Sequence, residues 1–195
     1  MEEILTASKA ASYNPIIKES YQLYKKNGRR AEIYNDVSQF VNQQYKYDRH
    51  LLCAMVFFLD EPENIFYTYN TYLENNSKTS GYSRVVEFQN NSIADVLELS
   101  AGLDTREALI TNNGHLYMVR NLVGSDFQPY GMIVIELSPQ FVFESLTSVW
   151  GAMEYEVFLD DTPLLDSSFG EKTDLDRIRA AVDPGVTSSS TKVRV

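Results

Sequence analysis

The stretch Gly114-His115-Leu116-Tyr117-Met118-Val119-Arg120-Asn121-Leu122-Val123, a polar break, and Tyr130-Gly131-Met132-Ile133-Val134-Ile135-Glu136-Leu137 decides the fold of this chain. Both runs are rich in apolar and β-branched residues. The break between them carries Gly124, Ser125, Asp126 and Pro129, residues that favour turns. Two such runs joined by a loop of this length read as an antiparallel hairpin. The hairpin is too apolar to stand in water, so it belongs at the centre of a sheet. Arg120 does not fit a core. Alternation puts it on one face with Leu116, Met118 and Leu122. A guanidinium there must meet an anion, carbonyls or solvent.

Upstream, residues Glu2 to Lys26 have helical spacing of apolar side chains, with a kink or boundary expected near Asn14 because of Pro15. Asn27-Gly28 reads as a helix end. A second helix is expected from about Arg30 to Gln44, with Ile33, Tyr34, Val37, Phe40 and Val41 on one side. Leu51 to Leu59 is a continuous apolar run and predicts a strand buried on both faces. Asp60 to Asn64 is read as a turn and Ile65 to Thr71 as the returning strand. Glu74 to Gly81 is a polar loop, and Tyr82 to Phe88 fits helix or strand. Ser92 is an N-cap candidate for a short helix to Leu99. Glu107 to Thr111 is a strand, and Asn112-Asn113-Gly114 turns it into the central hairpin.

Downstream, Ser138 to Leu146 reads as a helix, Met153 to Leu159 and Leu164 to Ser167 as strands, Thr173 to Val182 as an amphipathic helix, and Lys192 to Val195 as the start of a strand. Two regions follow. Residues 1–140 are expected to form an α+β domain, and residues 141–195 a linker helix with a smaller, partial second unit.

A formal charge of −10 argues against nucleic acid and against an anionic membrane surface as direct partners. The single cysteine, Cys53, excludes an internal disulfide and reads as a buried hydrophobe. The longest apolar run is far shorter than the roughly 20 residues a membrane-spanning helix takes. No phosphate-binding loop, dinucleotide fingerprint, nucleophile elbow or metal-ligand spacing occurs, so no catalytic residue, metal or cofactor is expected. His50 and His115 stand apart in sequence. Asp160-Asp161 reads as a turn before it reads as a cation site. For Arg120, a salt bridge with Glu136 or Glu107 stands beside a functional reading, an anion clamp in a pocket with Tyr117, Tyr130 and Phe66.

The order helix, helix, strand pair, insert, three strands resembles the PAS-like Cache layout. Ala10-Ala11-Ser12-Tyr13-Asn14, Asn42-Gln43-Gln44-Tyr45-Lys46-Tyr47, Phe57-Phe58-Leu59-Asp60-Glu61-Pro62, Leu116 to Leu122 and Pro129 to Leu137 are similar to the extracytoplasmic sensor regions of YesM-like histidine kinases of Gram-positive bacteria. The likeness covers about residues 5 to 160.

The resemblance implies a long N-terminal helix on a five-stranded antiparallel sheet, at the extracytoplasmic side of the cell membrane. It implies transmembrane helices on either side of this chain, a kinase beyond them, an AraC-type response regulator as its partner, and a homodimer. A dimer would pair exposed residues of the first helix, Ile4, Leu5 and Ala11. This fragment would then sense a small molecule, such as a sugar or an organic acid, without enzymatic activity of its own. The alternatives are the outer domain of a membrane-bound AraC-type regulator and a free-standing solute-binding module. The ligand face is expected where the Glu74–Leu103 insert covers the sheet, with Tyr67, Tyr69, Tyr117, Arg120 and Tyr130 as ligand-binding candidates.

Overall fold

A computed structural model describes residues 2–70, 81–144, 156–159 and 162–166. The chain opens with two helices, α1 (Glu2–Ser12) and α2 (Pro15–Asn27), parted near Asn14, where a kink or boundary was expected. Pro15 has no N–H to donate and occupies the first turn of α2, while the Asn14 side chain accepts from Ile16 N at 2.8 Å and Ile17 N at 3.3 Å. A capped start at that point separates the segments. Gly28 closes α2 in the left-handed region, φ 70°, and donates to Tyr24 O at 2.7 Å. Helix α3 (Arg30–Tyr45) follows.

Strands β1 (Leu51–Phe58) and β2 (Glu61–Tyr69) form a hairpin, tighter than expected because β2 begins at Glu61. Pro62 is tolerated because β2 is an edge strand. A register shift opposite Val56 and Phe58 absorbs the polar stretch that reads as a turn. The run from Tyr82 is helical, α4 (Gly81–Asn91), followed by α5 (Ile93–Leu103). Ser92 precedes α5 but its side chain does not cap it; the hydroxyl donates to Asn112 Oδ1 at 2.9 Å. Strands β3 (Glu107–Asn112), β4 (His115–Val123) and β5 (Pro129–Leu137) complete the sheet. Asn113 and Gly114, at φ 50° and 80°, make the two-residue turn between β3 and β4, where positive φ at both positions matches the strand twist.

The five strands are antiparallel in the order β2-β1-β5-β4-β3, so the two apolar runs lie adjacent and β5 is central. Both faces are covered. On one, Ala54, Val56, Phe58, Leu116, Met118, Ile133 and Ile135 pack under Ala11, Ile17, Val37 and Val41 of the N-terminal helices. On the other, Cys53, Met55, Phe57, Tyr117, Val119, Met132 and Val134 pack under Val85, Phe88, Val96 and Leu103 of α4 and α5. Double coverage explains why β1, β4 and β5 are buried along nearly their whole length instead of alternating.

Ala11 is fully buried, so it offers nothing to a dimer face. Among the described side chains of this region, Tyr13, Ile16 and Leu23 are large, apolar and exposed, while those of Ile4 and Leu5 lie outside the described residues.

Beyond the sheet, the short helix α6 (Pro139–Val142) leads on, and β6 (Glu156–Leu159) pairs with β7 (Thr162–Asp166). Leu159 and Leu164 pack against the N-terminal helical layer's core. The expected helix over 173–182, the strand over 192–195, the loop over 74–80 and the Asp160-Asp161 pair lie outside the described residues.

Candidate functional site

The sheet divides the five residues singled out from sequence. Tyr67, Tyr69 and Tyr117 are on the face covered by α4 and α5. Tyr130 is on the opposite face, with the helices α1 to α3. The register shift between Leu122 and Val123 leaves Tyr130 as an extra residue on β5. The bulge turns its ring onto Tyr21 (centroids 5.2 Å) and Phe58 (6.2 Å). Burial raises the Tyr130 phenol's pKa, and its hydroxyl has no partner among the described residues.

Arg120 is 4% exposed, on the face of Leu116, Met118 and Leu122. Its guanidinium donates to Glu107 Oε2 at 2.5 Å and to Thr105 O at 2.6 Å, and it lies 5.7 Å from the centre of the Tyr13 ring. Glu107 is its cross-strand neighbour on β3. The guanidinium thus ties β4 to the edge strand β3 and to the loop before it. Tyr117 is 1% exposed and wedged between Phe88 and His115. Tyr69 stacks on Tyr67 at 6.4 Å, and its ring fills the space a side chain on Gly81 would need.

Glu136 escapes the sequence reading as a site residue. It is 1% exposed on the central strand, opposite Tyr117, and faces α4. Its Oε1 accepts from Arg84 of α4 and lies 2.9 Å from His115 Nδ1. His115 Nε2 lies 3.2 Å from Glu87 Oε1, also on α4. The hydrogen bond to Glu136 raises the His115 pKa, against the opposing effect of burial. This cluster fastens α4 to the sheet. Among the described residues no group of three or more His, Cys, Asp or Glu side chains is placed to hold a metal ion.

The open space is elsewhere. A cleft of about 560 Å3 runs along the free edge of β2, between α3 on one side and α4 on the other. Its volume is in the range of small-molecule sites, roughly 300–1,000 Å3. Tyr34 of α3 leans on Phe66 (6.0 Å) and Tyr82 of α4 leans on Tyr67 (6.5 Å). These two outer rings are 61% and 64% exposed. Burial raises the Tyr67 pKa most, and the neighbouring phenols of Tyr34, Tyr69 and Tyr82 add to it. At one end Glu61 accepts from Tyr24 Oη at 3.0 Å and Asn64 Nδ2 at 2.8 Å, with Arg30 at 3.6 Å. Gln89 of α4 donates to Glu63 O at 2.9 Å, binding helix to edge strand.

Of the five sequence candidates only Tyr67 lines this cleft. Tyr34 reads as a core position in the helical pattern, and Tyr82 falls in a run with no clear period. Neither carries a sequence signal of an exposed ring.

No helix among the described residues is long and apolar enough to cross a membrane. No protein-family model matches the sequence, and no curated protein matches it.

Proposed function

We propose that this chain is the extracytoplasmic ligand-sensing domain of a membrane-bound two-component sensor histidine kinase, and that the β2-edge cleft receives a small molecule. One observation carries the reading. The cleft is walled by α3, from the helical layer on one face, and by α4, from the layer on the other. A ligand seated there touches both layers at once. It favours whichever spacing of α3 and α4 fits it, and so shifts the population of helix arrangements. Helix α3 packs along α2, so the bias reaches the N-terminal helices. The described residues have an α+β fold with a five-stranded antiparallel sheet, the class to which the resembled Cache layout belongs. In this reading the chain performs no reaction; the kinase output and the dimer belong to the whole protein.

A thermal-shift screen of sugars, amino acids and organic acids tests the proposal. A binder raises the melting temperature by mass action, about 2.7 kcal/mol at a hundredfold excess over Kd. Hydrogen exchange then reports whether α3 and α4 are both protected. A screen without a binder removes the sensing role. A binder that protects neither helix removes the transmission route. In the full gene product, apolar spans of about 20 residues on both sides separate this reading from a free-standing solute-binding module.

A further inference from the structure

We infer that the β2-edge cleft is a carbohydrate site, selective for neutral oligosaccharides over organic acids and amines. The inference rests on the sensing role proposed above and names its ligand class. Three observations support it. First, Tyr34 and Tyr82 are exposed rings on either side of the edge strand, each packed at a tilt, 46° and 45°, against an inner ring. A flat, supported ring is a platform for the C–H face of a sugar, and its rigidity keeps the entropy cost of binding low.

Second, the polar groups are of the matching kind. The phenols of Tyr34, Tyr67 and Tyr82 come close enough to one another to raise the Tyr67 pKa, after the larger effect of burial. A neutral phenol donates one hydrogen bond and accepts others, as each sugar hydroxyl does. The planar amides of Asn35, Asn64 and Gln89 line the same space and can bond adjacent hydroxyls.

Third, the charges disfavour the other classes. The lining holds two carboxylates, Glu61 and Glu63, and one cation, Arg30, which is already paired with Glu61. An organic acid would meet a surplus negative charge here, in a chain of net charge −10. An amine would find Glu61 occupied by Tyr24 and Asn64, leaving the exposed Glu63 as its counter-ion.

The test is calorimetric titration of this chain with neutral cello-, xylo-, malto- and galacto-oligosaccharides, with trigalacturonate and citrate as anions and spermidine as the amine. At least one neutral oligosaccharide is expected to bind. Tyr34→Ala and Tyr82→Ala, both at exposed positions, should each weaken it about tenfold without lowering the melting temperature. Arg120→Met, remote from the cleft, should leave the affinity unchanged. If citrate, trigalacturonate or spermidine binds in a Tyr82-dependent way and the neutral sugars do not, the carbohydrate assignment is overturned and the sensing role stands. If nothing in the panel binds, the carbohydrate assignment falls and the wider thermal-shift screen decides the sensing role; if a sugar binds and both tyrosine substitutions leave it unchanged, the cleft is not the carbohydrate site, while the chain still binds a small molecule.

Discussion

At the scale of single residues, two buried charges explain most of what the polar sequence features mean. Arg120 was legible as an anomaly, because a guanidinium on an apolar face is costly without partners. Its partner was not. Glu107 and Glu136 are both acidic residues on neighbouring strands, and only the register decides between them. Glu136 stands opposite Tyr117, hence on the other face, while Glu107 stands opposite Arg120. Alternation along β4 likewise keeps Tyr117 away from Arg120.

The His115 cluster leads to a pH prediction. Four charged or titratable groups meet there: Glu136 of β5, Arg84 and Glu87 of α4, and His115 itself. The folded state raises the His115 pKa through Glu136 first and Glu87 after. The imidazolium therefore contributes stability that is fully present below its unfolded pKa, about 6.5. That contribution is lost as pH rises through the higher folded value. Urea unfolding of the native chain and of His115→Gln between pH 5 and 9 should show a stability gap that narrows with rising pH. A gap constant across that range would mean that His115 titrates alike in the folded and unfolded chains, so that the cluster does not raise its pKa.

At the scale of elements, the boundaries with a local cause were readable and those with a tertiary cause were not. Pro15 after a capping Asn14 predicts a break, and Asn113-Gly114 predicts a tight turn. The start of β2 depends on its place at the sheet edge, which a lone sequence does not show. The attachment of α5 is similarly hidden. Asn121, fully buried on β4, donates to Ser100 O at 2.8 Å and to Asp104 O at 3.1 Å and accepts from the Ser100 hydroxyl at 2.8 Å. In sequence it is an asparagine inside an apolar strand. Gly131 marks a second hidden constraint, next to the bulge that swings Tyr130 onto Phe58. A Cβ on Gly131 would come within 2.6 Å of Phe57 O, a backbone atom of the paired strand. Side chains can turn away from such a contact, but a sheet backbone cannot do so cheaply. Gly131→Ala should cost about 2–3 kcal/mol in chemical denaturation. A loss under about 0.5 kcal/mol, the size of an ordinary surface change, would show that β1 and β5 part easily there.

At the scale of the whole molecule, a sheet covered on both faces should open from its edges. The composition of β1, β4 and β5 announced burial on two sides, but not which helices supply each cover, because a continuous apolar run has no period. The free edge of β2 is where the proposed sensing and the expected opening would coincide, and hydrogen exchange can read it residue by residue. Asn70 N donates to Leu52 O at 3.1 Å, which makes Leu52 and Asn70 a hydrogen-bonded pair. Bonded and non-bonded pairs alternate along an antiparallel ladder. Thr68 and Phe66, opposite Ala54 and Val56, thus point their amides at β1, while Tyr67 and Tyr69 point theirs at the open edge. Amides of β5, flanked on both sides by strands, should exchange only with global unfolding. Along β2 the pattern should have a period of two: Phe66 and Thr68 slow, Tyr67 and Tyr69 faster by orders of magnitude. A neutral sugar in the cleft should slow Tyr67 selectively, since its amide lies on the side the ligand occupies. Uniformly slow exchange over 65–69 without ligand would mean that the edge is already covered, leaving the cleft no open backbone for an incoming molecule.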